Sequence, residues 1–206
     1  MLISIEGIDG AGKNTITQRL REELACDVEV LSFPRYEESI HAQLAQEALY
    51  GRMGDLTDSV YGMATLFALD RHGAKEQLLA AAESTDSLLI LDRYVASNAA
   101  YSAARVGGEL IVDWIYELEF ERFGLPVPQL QIFLDTDVAL AGQRAVARAA
   151  EDEGRNRDRY ERDAALQSRT AAAYRRLAEQ QWAGRWIATA DADMIIQAVK
   201  ELVGEQ

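Results

Sequence analysis

The segment Gly7-Ile8-Asp9-Gly10-Ala11-Gly12-Lys13 constrains this chain more than any other. It follows a short apolar run, Leu2–Glu6, and opens a helical pattern, Lys13–Leu24. A GxxxxGK loop between a strand and a helix cradles phosphate, because glycines let successive N–H groups turn inward and the helix adds its positive end. Gly7, Ile8, Gly10, Ala11 and Gly12 supply backbone to that cradle, and Lys13 reaches the outer phosphates of a nucleoside triphosphate. The position after the lysine, where a hydroxyl commonly meets Mg²⁺, holds Asn14, followed by Thr15. Asp9, inside the loop, is the stronger candidate for a metal or substrate ligand. An acid there equally caps the following helix or stiffens the turn.

A loop of this kind needs a sheet beneath it. Further short apolar runs lie at Val28–Ser32, Ser87–Asp92, Gln129–Leu134 and Trp186–Thr189, each continuous enough for a strand buried on both faces. Between them the helical period appears at Asp58–Ala82, Val95–Arg105, Ile111–Phe123, Val138–Ala150 and Arg159–Gln181. Alternating strands and helices imply an α/β fold with a parallel sheet covered on both faces, and ligands at the carboxyl ends of the strands. The 206 residues fit one domain, 1–206. The opening MLISIEG reads as a strand and not as a signal peptide, and no apolar run reaches the roughly 20 residues of a membrane helix. With Cys26 alone no internal disulfide forms, so the expected compartment is the cytoplasm. A net charge of −13 argues against broad nucleic-acid or membrane binding. Only Lys13, Lys75 and Lys200 are lysines among 21 basic residues. The arginine preference suits bidentate phosphate binding, and a coding bias explains it as well.

The strand ends carry the remaining chemistry. Phe33-Pro34-Arg35-Tyr36 leaves an arginine and two rings near the sheet edge, and is equally a packed connection. Asp92-Arg93-Tyr94 delivers an acid that can hold Mg²⁺ through water and an arginine that can bridge two phosphates; an ion pair at a helix start is the plainer reading. Phe67 and Arg71 share a helical face, offering a flat ring beside donors. Ser97, Asn98 and Tyr101 follow one to two turns after Arg93. Asn98 has the donor and acceptor a pyrimidine edge needs, and Tyr101 is bulky enough to crowd a 2′-hydroxyl. Nine arginines lie between Arg144 and Arg176. Arg144 and Arg148 project together, and the acidic break after Ala150 leads to Arg155, which suggests a lid at about 144–159 closing over a nucleotide. A solvated, salt-bridged helix pair is the alternative.

Taken together, GIDGAGK, FPRY, YGMATLFALDR, DRYVASNAAYSAAR and RNRDRYERD resemble the bacterial thymidylate kinases, over essentially the whole chain. The resemblance implies a three-layer P-loop fold with a five-stranded parallel sheet, a closing lid, a homodimer, and Mg²⁺-dependent transfer from ATP to dTMP. It also implies that Phe67 stacks on thymine, Arg71 contacts a carbonyl, and Asn98 reads the base edge. Asp9 and Tyr101 would lie around the sugar, and Arg35 and Arg93 would hold the acceptor phosphate. Phe33, Tyr36, Ser97 and Tyr160 would line the same site. Glu161 would help Asp9 bind the metal, and Arg144, Arg148 and Arg155 would face ATP. Helix Asp58–Ala82 is the implied dimer face.

Such a reaction needs no general base. The acceptor phosphate has a second pKa of about 6 and is already mostly dianionic at neutral pH. His41 and His72 are therefore read as surface or packing residues. Two other readings remain. A deoxynucleoside kinase would use Asp92 as base, and a nucleotide-binding module without turnover would account for Asn14.

Overall fold

In the computed structural model, residues 1–151 and 158–204 are described. Five parallel strands form one sheet in the order β2-β3-β1-β4-β5. They are β1 Leu2–Glu6, β2 Asp27–Ser32, β3 Ser87–Asp92, β4 Leu130–Phe133 and β5 Trp186–Ala188. In register, Ile5 lies opposite Asp92 and Ile132. The carboxyl ends of β1 and β3 therefore open side by side.

Pleat alternation divides the core. Leu2, Leu89, Leu91 and Phe133 face one layer, made mainly by α5 Val95–Val106, α6 Leu110–Tyr116 and α9 Ala164–Glu179. Ile3, Ile5, Leu88, Ile90 and Ile132 face the other, made by α1 Lys13–Glu23 and α10 Ala192–Val203. Strand β2 departs from the expectation of burial on both faces. It is the sheet edge, and its residues are exposed or half-buried.

Three helices predicted as continuous are interrupted. Asp58–Ala82 resolves into a 3₁₀ turn Leu56–Asp58, α3 Val60–His72 and α4 Lys75–Glu83. An uninterrupted helix would use the Asp70 carbonyl to accept from Ala74. Arg35 Nη2 donates to that carbonyl instead, at 2.6 Å, and the Ala74 N–H turns to Arg71 O. A Cβ on Gly73 would stand 2.9 Å from Arg35 Nη2, so a side chain there would displace the guanidinium. Ile111–Phe123 is α-helical only to Tyr116 and widens into a π segment, Glu117–Arg122. Arg159–Gln181 splits at Asp163 into α8 Arg159–Arg162 and α9, because the Asp163 carboxylate caps the Leu166 N–H at 2.8 Å. Two remaining helices are α2 Ile40–Leu49 and α7 Val138–Glu151.

Candidate active site

Local backbone chemistry builds the phosphate loop. Gly7, Gly10 and Gly12 have φ of 150°, 81° and 102°, a region that side chains resist. At Gly10 a Cβ would lie 2.0 Å from the Ala141 carbonyl, so α7 packs directly on the loop. Gly12 caps α1 without a side-chain acceptor, which leaves the first N–H groups of that helix for an anion. Thr136 fastens the loop to the end of β4 by donating to Ala11 O at 2.9 Å. Burial and the neighbouring Arg93 lower the Lys13 ammonium to about 8, against the opposing pull of Asp92, Asp9 and Glu6.

Beside the loop stands a second cluster. Arg93 holds a left-handed backbone, φ 68°. Its Nη2 donates to Asp9 Oδ1 at 2.6 Å and its Nη1 to Gly7 O at 2.8 Å, and the guanidinium lies over the Tyr101 ring. Asp9 also accepts from Tyr101 OH at 3.0 Å and Gln167 Nε2 at 3.1 Å. Burial alone would raise this carboxyl, but Arg93 and Lys13 outweigh it and hold it at about 2. Beneath the cluster Glu6 is fully buried and accepts from the Tyr94 N–H, Ser97 and Tyr174. It thereby anchors the turn that carries Arg93.

A cavity of about 400 Å³ opens from these residues. Asp9, Lys13, Asn14, Asp92, Arg93 and Arg148 mark its phosphate end. Phe67, Arg71, Asn98 and Ser102 line its far end, with Met63 and Leu49. Phe33, Tyr36, Ser97, Tyr101, Tyr160 and Glu161 also reach it. Most of the expected site residues are thus brought together.

Others stand apart from the cavity. Arg35 does not line it; its guanidinium is tied to Asp70, with Nε 3.0 Å from Oδ1. Thr15 is exposed outside it. Arg144 reaches the loop, its Nη1 3.8 Å from where a Gly12 Cβ would be. Arg155 lies outside the described residues. Glu161 lines the cavity while closing a capping box with Asp158, the N-cap of α8. Burial, with the charges of Glu161 and Asp9, raises the Asp158 carboxyl to about 6.

Four contributors escaped sequence reasoning. Gln167 links the Asp9 carboxylate to the Tyr160 carbonyl, at 3.1 and 3.0 Å. Arg105 donates to Tyr160 OH and Thr57 O, stitching α5 to α8. Asp158 joins the cavity wall. Glu119 pairs with Arg71 from the π segment. No local spacing announces any of them.

A glycine phosphate loop at the centre of a five-stranded parallel sheet, beside a cavity lined by Asp9 and Arg93, defines a P-loop kinase of small nucleotides. A sequence profile of thymidylate kinases matches residues 5–203. The chain is 51% identical to a thymidylate kinase of Mycobacterium tuberculosis, covering 94% of this chain and 93% of that one. A probable thymidylate kinase of Thermococcus onnurineus is 32% identical, with 87% and 85% covered. The fold matches a solved thymidylate kinase from Candida albicans with a TM-score of 0.70 at 22% identity, covering 98% of this chain and 90% of that one. The chain belongs to the thymidylate kinase family, whose reaction is the phosphorylation of dTMP to dTDP with ATP as phosphoryl donor.

Proposed function

We propose that the cavity is the dTMP site and that Asp9 and Arg93 stand where acceptor and donor phosphates meet. The observation that carries this reading is the Asp9–Arg93–Tyr101 cluster, fixed between the phosphate loop and the part of the cavity lined by Phe67, Arg71 and Asn98. Phe67 stacks on the base, and Arg71 and Asn98 face its edge. Asp9 and Tyr101 lie by the sugar. Arg93 holds the acceptor phosphate, with Tyr36 and Tyr160 beside it. Lys13, Arg144 and Arg148 neutralise ATP. Arg35 acts indirectly, by holding the end of α3 through Asp70.

Two anions must approach each other. Unit charges 4 Å apart repel by about 4 kcal/mol at an effective dielectric of 20, and phosphates carry more than unit charge. Lys13, Arg93 and the α7 arginines offset that repulsion, and in-line positioning supplies much of the rest. The residues also fit a magnesium ion. Asp92 Oδ1 is buried at the cavity without a partner among the described residues. No group of three or more metal-ligating side chains gathers among those residues. Magnesium commonly binds through one or two carboxylates plus phosphate oxygens and water, a pattern that Asp92 and Asp9 satisfy, with Glu161 nearby. When bound, the ion screens charge on the transferring group. The whole chain acts as one domain, and the lid expected at about 144–159 lies partly outside the described residues. We place the enzyme in the cytoplasm as a homodimer that uses exposed apolar residues of α3 and α6. No helix among the described residues is long and apolar enough to cross a membrane.

The test is ADP release with ATP and Mg²⁺, offering dTMP, dUMP, dCMP, AMP and thymidine separately. We expect strong preference for dTMP. dUMP should be a poorer substrate by roughly 10- to 200-fold, the worth of one methyl. Turnover of thymidine in place of dTMP would assign Asp92 as a base and discard the acceptor-phosphate role of Arg93.

A further inference from the structure

Glu119 lies outside the cavity and is fully buried. It sits on the π segment, a widened turn of the kind that recurs at functional sites. Its carboxylate accepts from Arg71 Nε at 2.5 Å, from Arg71 Nη2 at 2.7 Å and from Asn98 Nδ2 at 2.8 Å. The second Asn98 amide hydrogen goes to the Ala64 carbonyl at 3.0 Å. Both amide hydrogens are thus spent on groups that only accept. The amide cannot turn over, since reversing it would set Oδ1 against two oxygens.

What remains for a ligand follows by subtraction. Asn98 keeps Oδ1, which has one long contact, 3.5 Å, from Ser102 Oγ. Arg71 keeps Nη1, which has no hydrogen-bond partner among the described residues. Of these two side chains, Arg71 therefore offers only donors, at Nη1, and Asn98 only an acceptor, at Oδ1. A thymine or uracil edge presents an acceptor at O4 and a donor at N3–H. A cytosine edge presents the reverse, a donor at N4 and an acceptor at N3. We propose that Glu119 is a positioning residue that sets this polarity, so that thymine and uracil are accepted and cytosine is refused. This rests on the reading of Phe67, Arg71 and Asn98 as the base pocket.

Glu119→Gln tests it, with kcat and KM measured for dTMP and dCMP alongside thermal unfolding. Glutamine keeps the size but offers one oxygen and a competing NH₂, so only the Ala64 carbonyl is left to hold the Asn98 amide in one orientation. We expect the KM for dTMP to rise with kcat little changed. The preference for dTMP over dCMP should fall by at least about a hundredfold, out of the several orders of magnitude a polarity mismatch commands. A folded Glu119→Gln protein with unchanged preference, or with both substrates weakened in parallel, would overturn the inference and leave the base pocket standing. If Glu119→Gln does not fold, Glu119→Asp keeps the charge at shorter reach, and the same ratio decides: a fall supports the inference and an unchanged ratio overturns it. An unaltered chain that does not distinguish dTMP from dCMP would remove the base-pocket reading, and this inference with it.

Discussion

Lys13 rests against its own loop, with Nζ 3.4 and 3.3 Å from the carbonyls of Gly7 and Ile8. Burial and Arg93 depress its ammonium from 10.5 to about 8. Between those values the unfolded chain holds the proton and the folded chain does not, so the folded state gains stability as pH rises through that window. Phosphate oxygens reverse the situation, because a bound anion favours the charged form. ATP binding should therefore take up a proton near pH 8 to 9, and its affinity should fall by roughly tenfold from pH 7.5 to 9. Calorimetry in buffers of different ionisation enthalpy reads both quantities. An affinity that ignores pH, with no proton uptake, would separate Lys13 from the phosphates. Lys13, Asp9 and Arg93 were legible in the sequence because loop and strand end fix them locally. Gln167 was not, since 158 residues separate it from the Asp9 carboxylate it supports.

Among the elements, α7 illustrates how the fold delivers function. The helix carries Arg144 and Arg148, and it can reach the phosphate loop because Gly10 has no Cβ. Gly10→Ala would place a methyl carbon 2.0 Å from the Ala141 carbonyl and would also strain a backbone at φ 81°. The expected result is weaker ATP binding by about tenfold or more, with a stability loss of about 1–3 kcal/mol. Hydrogen exchange should quicken in the first half of α7 while β1 and β3 stay protected. Unchanged ATP affinity together with unchanged exchange in α7 would show that the close packing has no role in binding. The helix breaks carry the same lesson. The periodicity at 58–82 was real, yet a carbonyl captured by Arg35 ended α3 at His72.

For the whole molecule, the outer faces of α3 and α6 carry apolar surface that the single chain leaves exposed. Tyr61 is 47% exposed and Leu110 83%, and Tyr61 meets the Trp114 ring edge-on at 4.9 Å. Sedimentation should give twice the 22.9 kDa of one chain, and Tyr61→Glu should shift the protein toward the monomer. A single-chain mass for the unaltered protein would rule the dimer out. The sequence alone determined the strand set, the glycine loop, and which polar residues stand at strand ends. Periodicity and turn chemistry act over a few residues, and β1 and β3 came out with their predicted bounds, Leu2–Glu6 and Ser87–Asp92. It also placed Phe67 with Arg71 and Asn98 with Tyr101 by helical spacing. Only the tertiary structure decided which donors and acceptors of those residues are already spent. Glu119 reaches Asn98 across 21 residues and Arg71 across 48, and it takes up an Asn98 amide hydrogen and the Nε and Nη2 donors of Arg71. Arg35, expected at the acceptor phosphate, is tied to Asp70 across 35 residues, a pairing that its place in the chain does not announce. Buried polar groups must find partners wherever folding brings them, and that requirement is settled in three dimensions, not along the chain.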